Sequence, residues 1–145
     1  MKTFSYHSPK DVKEASQLAS SSSMFLAGGM TSIPSMKLGM ATYKDVIDLK
    51  KIKKLSGIKV SSKTVTIGAT TKHAEVAASK DVQKAIPALA KLAGNIGDAQ
   101  VRNRGTIGGS ISNNDPSACY PSACMALNAV IHTNERKIEA NKFFK

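Results

Sequence analysis

Two diglycine segments, eighty residues apart from Gly28 to Gly108, constrain this 145-residue chain more than any other feature. The first is Ala27-Gly28-Gly29-Met30-Thr31 and the second is Thr106-Ile107-Gly108-Gly109-Ser110. Adjacent glycines let a backbone approach a ligand closely and adopt positive φ without a Cβ clash. Their exposed amides can form a concave anion site, to which a neighbouring hydroxyl adds a donor. A tight turn is the simpler interpretation of each segment alone, but together they predict a two-sided clamp for a pyrophosphate.

Length and composition are typical of one ordinary domain, or of two small lobes that share a core. Hydrophobic residues make up 41% of the chain, which is enough for a buried core. No apolar stretch reaches the roughly 18 residues of a membrane span, and the N-terminus lacks the pattern of a secretory signal. Cys119 and Cys124 fit no zinc or redox spacing, so we expect free thiols in a reducing compartment. These features predict a cytoplasmic protein.

The formal net charge of +11 leaves three kinds of partner open. A basic chain can bind nucleic acid, an acidic protein face or a phosphate ligand. The lysines are scattered, apart from a cluster formed by Lys50, Lys51, Lys53 and Lys54. Because no nucleic-acid motif or aromatic platform accompanies them, a solvated lysine face is favoured over a nucleic-acid surface.

The hydrophobic pattern predicts an α+β fold with a lobe boundary near Ser56. Strands are predicted at Met24–Ala27 and Val46–Leu49, and as hairpins that join 58–60 to 64–67 and 129–131 to 137–138. Helices are predicted after a Ser8 N-cap with Pro9 at the first position, after a Thr70 or Thr71 cap, over Gln83–Ala93 and over Ala118–Leu127. A turn is predicted at Asn113–Pro116, and Val101–Ile107 leads into the second diglycine segment.

The common nucleotide and metal motifs do not occur in the chain. It has neither a P-loop nor a G-x-G-x-x-G turn that opens a helix. His7, His73 and His132 are dispersed, so we expect no metal site, and His73 is interpreted as a surface or packing residue. Cys119 has no nearby base in the sequence and is interpreted as an inert thiol.

Two arginines precede the second diglycine segment. Arg102 and Arg104 are suited to contacts with phosphate or with an acidic partner, and a solvated strand edge is the alternative interpretation. Lys37 places a similar charge after the first segment, with less geometric specificity.

With their surroundings, these segments resemble the FAD-binding subunits of the molybdenum hydroxylases, most of all the medium subunits of aerobic carbon monoxide dehydrogenases. The resemblance covers nearly the whole chain and ends at Phe143-Phe144. The runs that carry it are Ala27–Leu38, 48–58, Thr64–Thr71, Gln100–Ser110 and Asn114–Pro116.

The resemblance implies a two-lobed α+β FAD-binding domain of the kind shared with vanillyl-alcohol oxidases and xanthine dehydrogenase, with lobes over 1–55 and 56–145. It implies FAD contacts mainly through backbone amides, with hydroxyl contacts from Thr31 and Ser110. The implied contact residues are Ala27, Gly28, Gly29, Met30, Thr31, Thr106, Ile107, Gly108, Gly109, Ser110 and Asp115. It implies neither a catalytic side chain nor a metal ligand in this chain.

By the same resemblance, the chain is a flavoprotein oxidoreductase subunit in a hetero-oligomer. Electrons would pass from a molybdenum-cofactor large subunit through a 2Fe-2S small subunit to FAD and then to an acceptor. A non-catalytic assembly module that has lost flavin is the alternative, because Met30 replaces a usual His or Gln and Cys119 replaces a usual acidic residue. Relatives continue into a C-terminal domain beyond the last residue of this chain, so we expect little turnover by the chain alone.

Overall fold

The computed structural model describes residues 1–144. The chain divides into two compact units, Met1–Gly109 and a second that begins at Ser110. The mixture of helices and strands expected from the sequence is confirmed. The lobe boundary near Ser56 stays a prediction. Within the described residues, no helix has the length and apolar character needed to cross a membrane.

A three-stranded parallel sheet organises the start of the first unit. Its strands are β1 (Ser5–His7), β2 (Ser23–Leu26) and β3 (Asp45–Asp48), in the spatial order β1-β3-β2. Val46 of the central strand pairs with Tyr6 on one side and Met24 on the other. Since parallel neighbours need crossover connections, helices α1 (Val12–Gln17) and α2 (Ser32–Lys37) join the strands. The strands predicted at Met24–Ala27 and Val46–Leu49 are confirmed to within one residue.

Helix α1 begins later than the sequence predicts. Its N-cap is Asp11 rather than Ser8, and the Asp11 carboxylate accepts a hydrogen bond from the Glu14 amide at 2.9 Å. This side-chain cap satisfies a backbone donor in the first turn of the helix. The helix packs on β3, where Ala15, Ile47 and Ile52 form a buried cluster.

The rest of the first unit is a hairpin followed by short helices. Two 3₁₀ turns, Leu49–Lys51 and Lys53–Leu55, lead to the antiparallel pair β4 (Ile58–Val60) and β5 (Val65–Ile67), which confirms the predicted hairpin. The helices are α3 (His73–Ala78), α4 (Lys80–Ala85), α5 (Pro87–Gly94) and α6 (Ala99–Arg104). Helix α3 packs against α5 and α6.

Two helix predictions in this unit are wrong in detail. Lys72 is the N-cap of α3, because the hydroxyl groups of Thr70 and Thr71 bond to other parts of the backbone. The helix predicted over Gln83–Ala93 is two helices that meet at Ile86. Proline at position 87 cannot donate a helical hydrogen bond, so α4 ends and α5 starts there.

The second diglycine segment lies in a helix. Helix α7 covers Ile107–Asn113, and Gly105-Thr106 separates it from α6. The strand-edge interpretation of Arg102 and Arg104 is therefore wrong, because both residues lie on α6. Beyond α7, the chain forms α8 (Cys119–Ala126), the antiparallel pair β6 (Val130–His132) and β7 (Lys137–Glu139), and α9 (Ala140–Phe143), so the turn, the helix and the closing hairpin predicted for this part are confirmed.

Candidate functional site

The first diglycine segment begins where β2 ends. Leu26 is the last strand residue and Ser32 opens α2, so Ala27–Thr31 lie at the carboxyl edge of the parallel sheet. Ligands of open parallel sheets bind outside this edge. Gly29 has a φ of +75°, a backbone conformation that side chains disfavour.

The backbone amides of the first segment have no hydrogen-bond acceptor among the described residues, and burial decreases from Gly28, which is buried, to Met30 and Thr31, which are exposed. Within residues 1–144, the hydrogen bonds outside regular helices and strands include none donated by the amides of Gly28, Gly29, Met30 or Thr31. Two of the carbonyls are used: Gly29 accepts from the Ile33 amide at 3.1 Å, and Thr31 accepts from Ser35. Successive backbone amides that make no hydrogen bond within the protein favour an anion.

The second segment has the opposite arrangement. The Ile107 amide donates to the Thr71 carbonyl at 3.1 Å, and the Gly108 amide donates to the Ala69 carbonyl at 2.8 Å. The Gly109 amide donates to the Thr106 hydroxyl at 3.2 Å. These three donors are therefore engaged within the protein, unlike the row of ligand-facing amides that the sequence suggests.

The first segment lies against the residues that directly precede the second segment. A Cβ atom built at Gly28 would lie 2.3 Å from the Arg104 carbonyl oxygen and 2.8 Å from the Gly105 Cα. Because backbone occupies the place of a side chain, only glycine permits this approach. Within the first unit, the first segment therefore contacts the end of α6 and the Gly105 that follows it.

His73 packs behind this junction. It is 5% exposed, and a Cβ atom at Gly105 would lie 2.5 Å from its Nε2 atom. Its amide donates to the Gly105 carbonyl at 3.0 Å. Burial lowers the pKa of His73 below its ordinary value of 6.5, so the ring is neutral at pH 7. Of the two interpretations offered by the sequence, packing is confirmed and a surface position is wrong.

The arginines of α6 have separate roles. The Arg102 guanidinium donates to the carbonyls of Ile96 at 3.1 Å and Gly97 at 2.8 Å, which ties down the loop before the helix. Arg104 is exposed, and it is its main-chain carbonyl that faces Gly28. Unlike Arg102, Arg104 has an exposed side chain with no hydrogen bond to the loop before α6 in the described part of the chain.

The remaining predicted contact residues belong to the second unit. Ser110 is half-buried within α7. Asp115 is exposed, and its carboxylate accepts from both the amide and the hydroxyl of Ser117, which lowers the pKa of Asp115. Cys119 is exposed at the start of α8, while burial raises the pKa of the Cys124 thiol.

Sequence reasoning missed the residues that support the second segment. Ala69 and Thr71 supply the carbonyls that hold it, and Gly105 makes room for both Gly28 and His73. Their signal in the sequence is the run Gly68-Ala69-Thr70-Thr71, where two hydroxyl residues follow a small pair. Among residues 1–144, no group of three or more His, Cys, Asp or Glu side chains could hold a metal ion.

Comparison with known proteins identifies the family of this fold. A model of the FAD binding domain in molybdopterin dehydrogenase matches residues 2–145. The chain belongs to this family. The fold class predicted from the sequence and FAD as the cofactor are thereby confirmed.

Several relatives of this family are similar over nearly the whole chain. The carbon monoxide dehydrogenase medium chain of Hydrogenophaga pseudoflava is 40% identical over 97% of this chain and 52% of its own length. The glyceraldehyde dehydrogenase medium chain of Sulfolobus acidocaldarius is 35% identical over 98% of this chain and 53% of its own length. The chain therefore spans about half the length of these relatives.

Two solved structures have a fold similar to that of this chain. Carbon monoxide dehydrogenase from Hydrogenophaga pseudoflava, in a form lacking the Mo-pyranopterin moiety, matches with a TM-score of 0.93 and 41% identity, over 99% of this chain and 53% of that one. Quinoline 2-oxidoreductase from Pseudomonas putida 86 matches with a TM-score of 0.90 and 28% identity, over 96% of this chain and 51% of that one.

The residues at the junction fit the diphosphate of FAD. The amides of Gly28–Thr31 make no hydrogen bond within the described residues, and Arg104, whose carbonyl lies beside Gly28, is an exposed cation. Hydrogen bonds from amides to an anion are shorter and stronger than those between neutral groups. The donor set therefore suits a ligand that carries two linked phosphates.

Proposed function

We propose that Ala27–Thr31 and Thr106–Ser110, with Asp115, hold FAD, and that the first segment binds its diphosphate. The observation that carries this proposal is the set of unengaged amides at Gly28–Thr31, directly beside the end of α6. The hydroxyl of Thr31, an exposed residue, adds a further donor at the same edge of the sheet.

The second segment has a different part in this proposal. Since the amides of Ile107, Gly108 and Gly109 bond within the protein, this segment contributes shape and hydroxyl groups rather than a row of donors. Gly109 is exposed and presents backbone that a ligand can approach closely. Ser110, one residue further along α7, would add its hydroxyl.

The charge of the chain supports a doubly anionic ligand. A net charge of +11 creates a positive field that raises the local concentration of anions. Met30 is 39% exposed at the first segment and has no polar group to offer the cofactor. Diphosphate binding here therefore depends on backbone amides and the general field rather than on the side chain at position 30.

We further propose an electron-transfer role within a molybdenum hydroxylase complex. Bound FAD would supply the ability to accept and donate electrons, while this chain binds and orients it. A 2Fe-2S small subunit and a molybdenum-cofactor large subunit are the proposed partners, consistent with the medium-chain names of the relatives. A cytoplasmic location is proposed as well, because the exposed thiol of Cys119 is best preserved in a reducing compartment.

Ligand titration of the purified protein tests the diphosphate site. We expect one FAD per chain and competition by ADP, while adenosine, which differs from ADP by the diphosphate alone, should bind at least about a hundredfold more weakly. Isothermal calorimetry and flavin absorbance measure both effects. Equal competition by ADP and adenosine would contradict the diphosphate assignment, and a protein that ignores FAD would contradict the function.

A further inference from the structure

The segment Gly68–Thr71 links two parts of the first unit that are distant in sequence. On one side it bonds to the end of the second 3₁₀ turn: the Thr70 amide and hydroxyl both donate to the Leu55 carbonyl, at 2.8 and 2.9 Å. On the other side its carbonyls hold Ile107 and Gly108. The second diglycine segment is therefore positioned by a backbone that is itself fixed elsewhere.

Thr71 bonds both to Gly57, which follows the second 3₁₀ turn, and to Ile107 at the start of α7. It is 1% exposed, and its hydroxyl both accepts from the Gly57 amide at 2.9 Å and donates to the Gly57 carbonyl at 3.1 Å. Its own carbonyl accepts from Ile107 at 3.1 Å. Without the hydroxyl, the Gly57 amide would lose this acceptor, whereas the Gly57 carbonyl would keep the Gly68 amide, which donates to it at 2.8 Å.

The packing at Gly108 makes the second segment sensitive to small shifts of this support. A Cβ atom at Gly108 would lie 2.5 Å from the Ala69 Cβ and 2.6 Å from the Ala69 carbonyl oxygen. Helix α7 thus starts in direct contact with the backbone that Thr71 anchors. A displacement of Ala69–Thr71 would be transmitted to Ile107 and Gly108 through their hydrogen bonds.

We propose that Thr71 is a positioning residue for the FAD site, which it serves by anchoring the backbone that holds the second diglycine segment. It need not touch the cofactor. The inference rests on the proposed function for its effect on FAD, but its structural part can be tested without any ligand.

Hydrogen–deuterium exchange at single amides, followed by NMR, tests this part. In Thr71→Val we expect the Ile107 and Gly108 amides to exchange roughly tenfold faster than in the original protein, while the Ile47 amide of the central strand changes much less. Thr71→Ser keeps the hydroxyl and should restore the protection. The matched control is Thr70→Val, which loses a neighbouring half-buried hydroxyl bond but leaves the Leu55 carbonyl its amide donor.

FAD affinity provides the second readout. Thr71→Val should bind FAD roughly tenfold more weakly, whereas Thr71→Ser and Thr70→Val should bind with nearly the original affinity. If exchange at Ile107 and Gly108 rises no more than at Ile47, the hydroxyl contributes only general stability and the inference is overturned. If the original protein itself does not bind FAD, the proposed function fails. The increase in exchange at Ile107 and Gly108, compared with that at Ile47, still shows whether Thr71 positions the second segment.

Discussion

Replacing Gly28 by alanine should abolish FAD binding, with a loss of affinity of at least about a hundredfold. The added Cβ would lie 2.3 Å from the Arg104 carbonyl oxygen and 2.8 Å from the Gly105 Cα, and neither backbone atom can move as a flexible side chain would. The first segment must then separate from α6, which displaces its amides from the diphosphate. We also expect unfolding to become easier by about 3 kcal/mol, at the upper end of overpacking costs. Calorimetric FAD titration and urea unfolding measure the two effects.

Gly94→Ala is the matched control for this substitution. Gly94 is the last residue of α5, and its added Cβ would meet only the Ala77 Cβ at an ordinary 3.8 Å. Alanine is the better helix former by up to about 1 kcal/mol, so this variant should keep its FAD affinity and its stability. Wild-type FAD affinity in a folded Gly28→Ala protein would show that close contact of Gly28 with Arg104 and Gly105 is not needed for binding.

Gly108→Ala should have the second largest effect, and we expect it to act on stability and FAD affinity together. Its Cβ would overlap the Ala69 Cβ at 2.5 Å and the Ala69 carbonyl oxygen at 2.6 Å. The start of α7 must move away, which breaks the bond from the Gly108 amide to that carbonyl. We expect a loss of about 2 kcal/mol in the free energy of unfolding, measured by urea titration.

Gly109→Ala provides a graded comparison in the same helix. The nearest atom to its Cβ would be the Thr106 hydroxyl oxygen at 2.9 Å, a single side-chain atom rather than a backbone. The stability loss should therefore be smaller than that of Gly108→Ala. The reverse order of stability would contradict the tight packing of Gly108 on Ala69.

Elements whose sequence pattern lies within a few neighbouring residues were predicted correctly. The hairpin of β4 and β5 follows from alternating residues around a polar turn, and β2 follows from a short apolar run. Strand β1 was missed because Ser5-Tyr6-His7 has no such pattern and pairs with residues forty positions away. This segment is a strand because it pairs with β3, and that pairing cannot be predicted from the residues of β1 alone.

The second diglycine segment shows the limit of reasoning from residue type. Gly-Gly disfavours a helix interior, so a turn was the natural prediction for Gly108 and Gly109. The structure overrides this preference, since neither glycine has positive φ and Gly108 is required for close packing on Ala69. Glycine allows a positive φ at Gly29, whereas at Gly28 and Gly108 it leaves room for a neighbouring backbone. The sequence alone does not distinguish these two uses of glycine.

The sequence predicts which residues form the candidate site, but it does not indicate which of their amides are already bonded within the protein. Two glycine segments and a resemblance to flavoproteins were enough to bring residues 27–31 and 106–110 together as one hypothesis. Which amides remain available depends on Ala69 and Thr71, whose carbonyls lie nearly forty residues before the amides they accept from. Such pairings are set by tertiary packing and are not encoded in either segment alone.

Amide NMR of the ¹⁵N-labelled protein during FAD titration examines whether both segments serve a single cofactor. The amide signals of Gly28–Thr31 and of Gly109 and Ser110 should shift together, with a common dissociation constant and saturation at one FAD per chain. Saturable FAD binding that shifts only one of the two segments, or no shift up to about 1 mM FAD, would contradict a single FAD site built from both segments.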